Sequence, residues 1–306
     1  MRKVLLATTA LVAMGGVSAA SADITLSASS EFQYITNSGT GTTPLAAEDR
    51  DVATQVDFGL AASAALDNGM TVAAGIDLDE GVGDQPDDSG FTLSGDFGTI
   101  GFGGYAEAVH GGMSTDVTAD EGWTLHANYK KPADEYIAHS DLSLKLPAVS
   151  GVTLSVGMSD GATSSADGTQ AGLSYTMAAG SMTVTVGYAT SSTGAADSDA
   201  TSTGVKVVAG NTTVVAAVNE TGKYSGNSVG ITYKVSDVLT VQAYTGTMEK
   251  SDVSAYEAKD TGIGFSYTVT PGLTLAVTQN DFSGKGDATA GAEDGSRTAI
   301  TLNASY

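Results

Sequence analysis

Histidine is the side chain best suited to acid–base chemistry near neutral pH, and this chain has three: His110, His126 and His139. The chain contains no cysteine. His139 stands two positions before Asp141 and serines are abundant, so a serine, a histidine and an acid could meet as they do in hydrolases. With so many serines and acids such proximity is nearly inevitable, and the spacing matches no hydrolase motif. An enzyme is therefore the weaker hypothesis.

Two acidic clusters carry the carboxylate oxygens that Ca²⁺ and Mg²⁺ prefer: "AEDRD" at 47–51 and "DQPDDSG" at 84–90. Neither cluster has the spaced ligands of an EF-hand loop. Solvated acidic loops are the favoured interpretation, with calcium binding at these loops as the alternative. Apart from calcium, the sequence indicates no cofactor.

The first 22 residues predict a secretory signal peptide. Arg2 and Lys3 precede an apolar stretch over residues 4–17, and the small residues Ala20 and Ala22 precede Asp23. This stretch is shorter than the roughly 20 apolar residues of a membrane-spanning helix. We therefore predict cleavage after Ala22, export through the periplasm, and a single domain over residues 23–306.

The charge balance of the mature chain excludes one class of partner. Removal of residues 1–22 takes away two bases and no acid, which leaves 35 acidic against 11 basic residues and a balance of −24. Nucleic acid is not an expected partner, because binding it requires clusters of Lys and Arg. A secreted chain without cysteine also has no disulfides, so backbone pairing and packing must stabilise the fold.

The dominant pattern after Asp23 is alternation of apolar residues with small or polar ones, which predicts β-strands. Sixteen such segments follow one another; the sixth runs over 136–146 and the last over 300–306. The connections are alternately tight, as in "LDNG", "DFG" and "TPG", and long, acidic and rich in Gly, Ser and Thr. Short turns at one rim and long loops at the other are typical of bacterial outer-membrane barrels.

The last strand ends at Tyr306 in the middle of an alternating pattern. An apolar edge strand without a partner invites aggregation, so we expect this strand to pair with the one that begins at Ile24. Such pairing closes the sheet into a barrel with an apolar outer face and a polar lumen. The predicted fold is an all-β, transmembrane, 16-stranded antiparallel up-and-down barrel.

Residues 87–104, "DDSGFTLSGDFGTIGFGG", resemble the "LSG.FG.I..G" hairpin of general diffusion porins, especially those of purple phototrophic alphaproteobacteria. The stretch "GVTLSVGMSDG" at 151–161 is a second match. The resemblance implies a trimeric pore whose third long loop, here Gly104–Pro132, folds into the lumen and constricts it. By position, the constriction role is expected for the loop acids Glu107, Asp116, Asp120 and Glu121.

The predicted lumen wall departs from the porin pattern, in which basic side chains oppose the loop acids. Strand parity points four acids inward on the early strands: Glu31, Asp57, Asp77 and Asp79. It points four bases inward elsewhere: Lys145, Lys206, Lys234 and Arg297. Arg297, on the closing strand, is the base best placed to oppose the loop.

The sequence thus predicts an outer-membrane porin that passes small hydrophilic solutes and ions by diffusion, with a weak preference for cations. Expected partners are the lipid bilayer, lipopolysaccharide and, through the resemblance, two further copies in a homotrimer. A substrate-specific outer-membrane channel is the main alternative. A secreted β-rich adhesin and an outer-membrane hydrolase are weaker alternatives.

Overall fold

The computed structural model describes residues 23–40, 50–79, 88–103, 141–159, 167–193, 199–222, 224–250, 257–287 and 291–306. All regular structure in these ranges is β-strand. None of the described residues belongs to a helix of the length and apolarity needed to span a bilayer. The predicted signal peptide, residues 1–22, lies outside the described residues.

The predicted sixteen-stranded antiparallel barrel is confirmed, since every strand pairs with its two neighbours in chain order and the sheet closes on itself. The strands are β1 Asp23–Thr40, β2 Arg50–Ala65, β3 Thr71–Asp79, β4 Asp88–Gly95, β5 Gly98–Gly103, β6 Leu142–Lys145, β7 Val152–Ser159, β8 Gly168–Ala179, β9 Met182–Thr193, β10 Ala200–Ala209, β11 Thr212–Thr221, β12 Tyr224–Lys234, β13 Leu239–Lys250, β14 Glu257–Thr270, β15 Leu273–Asp287 and β16 Gly291–Ser305.

The first and last strands form the seam that closes the barrel. β1 pairs with β16 over twelve register positions, from Ser29 opposite Ser305 to Thr40 opposite Asp294. Beyond the end of β16, the Tyr306 amide donates to the Ala28 carbonyl at 2.9 Å. Tyr306 therefore lies opposite Ala28, four residues beyond Ile24 along β1, and the seam pairs β1 with β16 from Ala28 to Thr40.

The two faces of the sheet differ in side-chain character. Large apolar residues alternate along the strands with one parity and are solvent-accessible in the isolated chain, as with Leu26 at 74% and Ile263 at 60% exposure. The opposite parity carries small and polar residues, such as Ser202 and Thr278. An exposed apolar surface on this scale indicates an outer face made for lipid and an inner face made for water.

The strand ends differ from the sequence prediction in three places. The connections β11–β12 and β15–β16 span only residues 222–223 and 288–290, although long loops were predicted there. Hydrogen-bonded pairing continues past the apolar segments, through Asn219 opposite Gly226 and Asp281 opposite Ser296. β6 is instead shorter than its predicted segment, since it has only four residues. Leu146 follows its end, and Tyr136 and Ala138 lie outside the described residues.

The tight turns require glycine where the backbone makes close approaches. Gly98, the first residue of β5 after the tight β4–β5 turn, has φ +109°, a conformation that residues with a Cβ rarely adopt. A Cβ at this position would lie 2.0 Å from the Lys145 carbonyl oxygen on β6. Gly98 therefore allows β5 to begin directly against the strand that carries one of the predicted lumen bases.

Gly98→Ala is expected to destabilise the barrel more than Gly180→Ala. Both glycines have positive φ, but a Cβ at Gly180 meets nothing within 4 Å. The positive φ costs about 1–2 kcal/mol in either variant, and the overlap at Gly98 adds roughly 1–3 kcal/mol. Urea unfolding of the refolded barrel in detergent measures the difference, and equal midpoints for the two variants would contradict the close approach.

Candidate functional site

Acidic side chains on β1 and β2 line one wall of the lumen. Asp57 on β2 is opposite Ser29 on β1, and Gln55 is opposite Glu31. One carboxylate oxygen of Asp57 accepts a hydrogen bond from the Ser29 hydroxyl at 3.1 Å, and the other accepts one from the Gln55 amide at 2.9 Å. These bonds hold the Asp57 carboxylate in one orientation, and its side chain stays partly exposed.

The same wall continues onto β3. The backbone register places Asp79 opposite Asp57, and Asp77 opposite Asp88 of β4. The side chains of Asp77 and Asp79 lie outside the described part of the chain. Glu31 is partly exposed and has an interaction partner. The four acids predicted on the early strands thus occupy neighbouring strands β1, β2 and β3.

The four predicted lumen bases are dispersed over four strands. Lys145 and Lys234 are the last residues of β6 and β12, at the rim of the tight turns. The Lys234 ammonium lies 3.2 Å from the Asp237 carboxylate in the following turn. Lys206 lies within β10, three residues before its end, and Arg297 lies on β16 opposite Asn280 of β15. The structure therefore does not gather these bases into one arc.

A buried polar strip surrounds Arg297 on the lumen side of strands β13 to β16. Asp260 on β14 is 6% exposed, and one of its oxygens accepts a hydrogen bond of 2.6 Å from the Tyr244 hydroxyl. The Tyr244 ring lies over Gly262, where a Cβ would be 2.2 Å from the ring. Asn280 is 9% exposed and lies between Gly262 and Arg297 in register.

Asp260 is a lumen carboxylate that the sequence analysis missed. The alternation used to predict the fourteenth strand covers only Ile263, Phe265 and Tyr267. β14 in fact begins at Glu257, and its inward parity includes Asp260. Continuing the two-residue period toward the amino terminus would have found this position.

Other predicted sites fall in the segment 104–140, outside the described residues: Glu107, Asp116, Asp120, Glu121 and the histidines at 110, 126 and 139. The constriction loop therefore stays a prediction. The two acidic clusters considered for calcium also lie mostly outside the described ranges. Within the part of the chain that the structure describes, no group of three or more His, Asp or Glu residues could hold a metal ion.

The outer face carries tyrosines near the tight-turn rim. Tyr175, Tyr233 and Tyr267 are exposed and lie within four residues of the ends of β8, β12 and β14, and Tyr306 ends the chain on the same side. Tyr188 is also exposed but lies in the middle of β9. Tyrosines at one level of the outer face are typical of the aromatic girdle at a membrane interface.

The barrel lets solutes diffuse through its lumen, and this transport requires no chemical reaction. A barrel of sixteen strands leaves an aqueous channel, and the charged side chains on its inner wall act on ions that pass through it. The outer apolar face and the tyrosine girdle match a bilayer rather than water.

Comparison with known proteins supports this interpretation. A mutant porin of Rhodobacter blastica has the same fold with a TM-score of 0.67 and 14% identity, covering 93% of this chain and 100% of that chain. An anion-selective porin from Comamonas acidovorans gives a TM-score of 0.67 and 14% identity, covering 94% and 100%. The trimer form of OmpT from Vibrio cholerae gives a TM-score of 0.65 and 12% identity, covering 94% and 100%.

At sequence level, no curated protein matches the chain significantly. The model of the Gram-negative porin family, however, matches residues 7–306, nearly the whole chain. The chain therefore belongs to the Gram-negative porin family and is an outer-membrane channel for passive diffusion rather than an enzyme.

Proposed function

We propose that this porin passes small hydrophilic solutes and ions with a weak preference for cations. The observation that carries the proposal is the carboxylate wall of β1 and β2, where Ser29 and Gln55 hold Asp57 beside Glu31. A fixed carboxylate next to water attracts cations and repels anions, and the low-dielectric barrel wall strengthens its field. Diffusion through such a pore needs no cofactor.

The net negative charge of the chain also favours cations. The sequence has 35 acidic and 13 basic residues, so a cation near either mouth experiences an attractive mean potential. Salt screens this long-range term, with a Debye length of about 8 Å at physiological ionic strength. The side chains nearest the ion path therefore decide selectivity, and the remaining acids raise the local cation concentration.

A shared fold does not determine the ion selectivity of a porin. The Comamonas acidovorans porin is anion-selective, and its 14% identity to this chain supports a common fold alone. The fold provides the channel, and the inward side chains decide which charge it prefers.

Asp57→Asn is expected to lower the preference for cations. At about 8 Å in water a unit charge shifts the energies of K⁺ and Cl⁻ by about 0.5 kcal/mol each, in opposite directions. Screening over one Debye length reduces the combined difference to about 0.4 kcal/mol, so the K⁺/Cl⁻ permeability ratio should fall roughly twofold. Reversal potentials of the purified protein in a planar bilayer under a KCl gradient measure this ratio. Asp96→Asn is the matched control, because Asp96 is an exposed acid in the β4–β5 turn.

A wild-type channel that prefers chloride would refute the proposed selectivity. An equal fall in both variants would assign the preference to net charge rather than to the carboxylate wall. Either result leaves the outer-membrane channel itself in place.

We also propose that the protein works as a homotrimer in contact with lipid and lipopolysaccharide. The exposed apolar side chains of the outer face need a cover, which lipid and neighbouring copies both provide. The Vibrio cholerae neighbour has a trimer form, and this chain shares its fold over 94% of its length.

The purified protein in mild detergent is expected to have the mass of three mature chains. Light scattering coupled to size exclusion, corrected for bound detergent, measures this mass. Heating before electrophoresis gives the single-chain control, because it unfolds the barrel. A single-chain mass in the unheated sample at all detergent concentrations would contradict the homotrimer.

A further inference from the structure

Tyr244 is an aromatic residue on the lumen face of β13. It is opposite Gly262 on β14, and the next residue of β14, Ile263, is 60% exposed on the outer face. Because successive residues of a strand point to opposite faces, Gly262 and its partner Tyr244 point to the lumen. Ala243, beside the tyrosine, is opposite Ile263, so Tyr244 lies at a level of the barrel that lipid surrounds.

Glycines flank this tyrosine on the lumen face of the sheet. The residues directly opposite Tyr244 are Gly230 on β12 and Gly262 on β14. Gly246 is the next lumen-facing residue along β13, two residues after the tyrosine. These three positions carry no side chain, so the position of the Tyr244 ring determines the shape of the lumen surface between them.

Two contacts hold the ring along the wall. A Cβ added at Gly262 would overlap the ring atoms Cε1, Cζ and Cδ1, so the ring fills the space that a side chain of β14 would occupy. The Tyr244 hydroxyl donates a hydrogen bond of 2.6 Å to the carboxylate of Asp260, a residue that is 6% exposed. A hydrogen bond to a carboxylate is stronger than one between neutral groups. Gly262 thus provides the space for the ring, and Asp260 fixes its direction.

Loss of either contact is expected to release the ring into the lumen. The χ1 angle of an aromatic side chain occupies staggered wells, so a ring that leaves the space above Gly262 turns to another well instead of shifting slightly. Away from the wall, the ring projects into the path of the solutes. Pore diameter is one of the properties that decide which solutes pass, so the orientation of this side chain affects selection by size.

We propose that Tyr244 is a determinant of the solute size that this pore admits, and that Gly262 and Asp260 keep its ring against the wall so that the lumen stays wide. The solutes concerned are uncharged hydrophilic molecules such as sugars, for which size rather than charge decides passage. This inference rests on the channel itself and is independent of the proposed preference for cations.

The test measures the swelling of liposomes that contain the purified protein, in a series of uncharged sugars of increasing size. Gly262→Ala should lower the ratio of disaccharide to monosaccharide entry, because the added Cβ displaces the ring into the lumen. Gly246→Ala is the matched control, since it adds the same methyl group to a lumen-facing glycine. There a Cβ would lie 3.3 Å from the Asn227 carbonyl oxygen and from the Ser228 Cβ, and the ratio should stay at the wild-type value.

Two further variants separate the size of the pore from the stability of the barrel. In the double variant Gly262→Ala/Tyr244→Ala, the added Cβ has no ring to displace, so the ratio should return at least to the wild-type value. Tyr244→Phe keeps the ring and removes the hydrogen bond to Asp260, so it should lower the ratio without any steric overlap. The change of electrophoretic mobility on heating reports the folded fraction of each sample, and entry rates are compared per folded barrel.

An unchanged ratio in folded Gly262→Ala barrels would overturn the role of the ring, as would a double variant with the same low ratio as the single one. A ring that turned to lie above Gly230 would give the first of these results. Should Gly262→Ala not fold, an unchanged ratio in Tyr244→Phe barrels would overturn the proposal instead. Each of these results leaves the proposed cation preference intact, because that preference is measured with ions.

Discussion

The need to pair every backbone amide and carbonyl inside a bilayer is the constraint on which this structure depends. A hydrocarbon core offers no water as a substitute partner, so a strand that crosses it requires a neighbour on both sides. The chain meets this requirement by pairing β1 with β16, and no disulfide supports the closure because no cysteine exists. The sheet must then present one face to lipid and the other to water. Because successive side chains of a strand point to opposite faces, a two-residue alternation of apolar and polar residues produces both faces.

Closure also determines where lumen charges lie relative to one another. Asp57 and Lys206 are far apart in sequence, yet sixteen strands in closed order put their strands on opposite sides of the channel. Register decides the finer contacts: Ser29 reaches Asp57 because β1 and β2 pair with these two residues opposite each other. The same rule, applied across β14 to β16, brings Asn280 between Gly262 and Arg297. Function therefore follows from strand pairing and not from a compact sequence motif.

The alternation of apolar residues was sufficient to predict the sixteen strands and their closure. Lipid contact on one face and the geometry of a paired strand both require the same two-residue period in the sequence. It was not sufficient for the strand ends. β11 and β12 continue to a two-residue connection through Asn219, Glu220 and Ser225, which are paired in the sheet but are not apolar. Asp260 was missed for the same reason, since it lies beyond the apolar part of β14.

The site was only partly predictable for a second physical reason. Parity identified the inward position of Asp57 and Lys206, and Gln55 is two residues from Asp57 on the same strand and face. The Ser29 contact and the position of β10 opposite β2 depend on register and strand number, which are properties of the closed sheet. The neighbours of Lys206, Thr185 on β9 and Val215 on β11, likewise follow only from the register.

Separation of the two faces leaves selectivity free to vary without loss of the fold. A charge placed on the lipid face at the bilayer midplane costs about 2–4 kcal/mol, whereas one placed on the lumen face stays in contact with water and mainly alters selectivity. This difference explains how a barrel with the fold of an anion-selective porin, at 14% identity, can carry a carboxylate wall on β1 and β2. The outer face has to remain apolar in every such protein. The lumen face has to remain polar, and the sign of its charge is not constrained by stability.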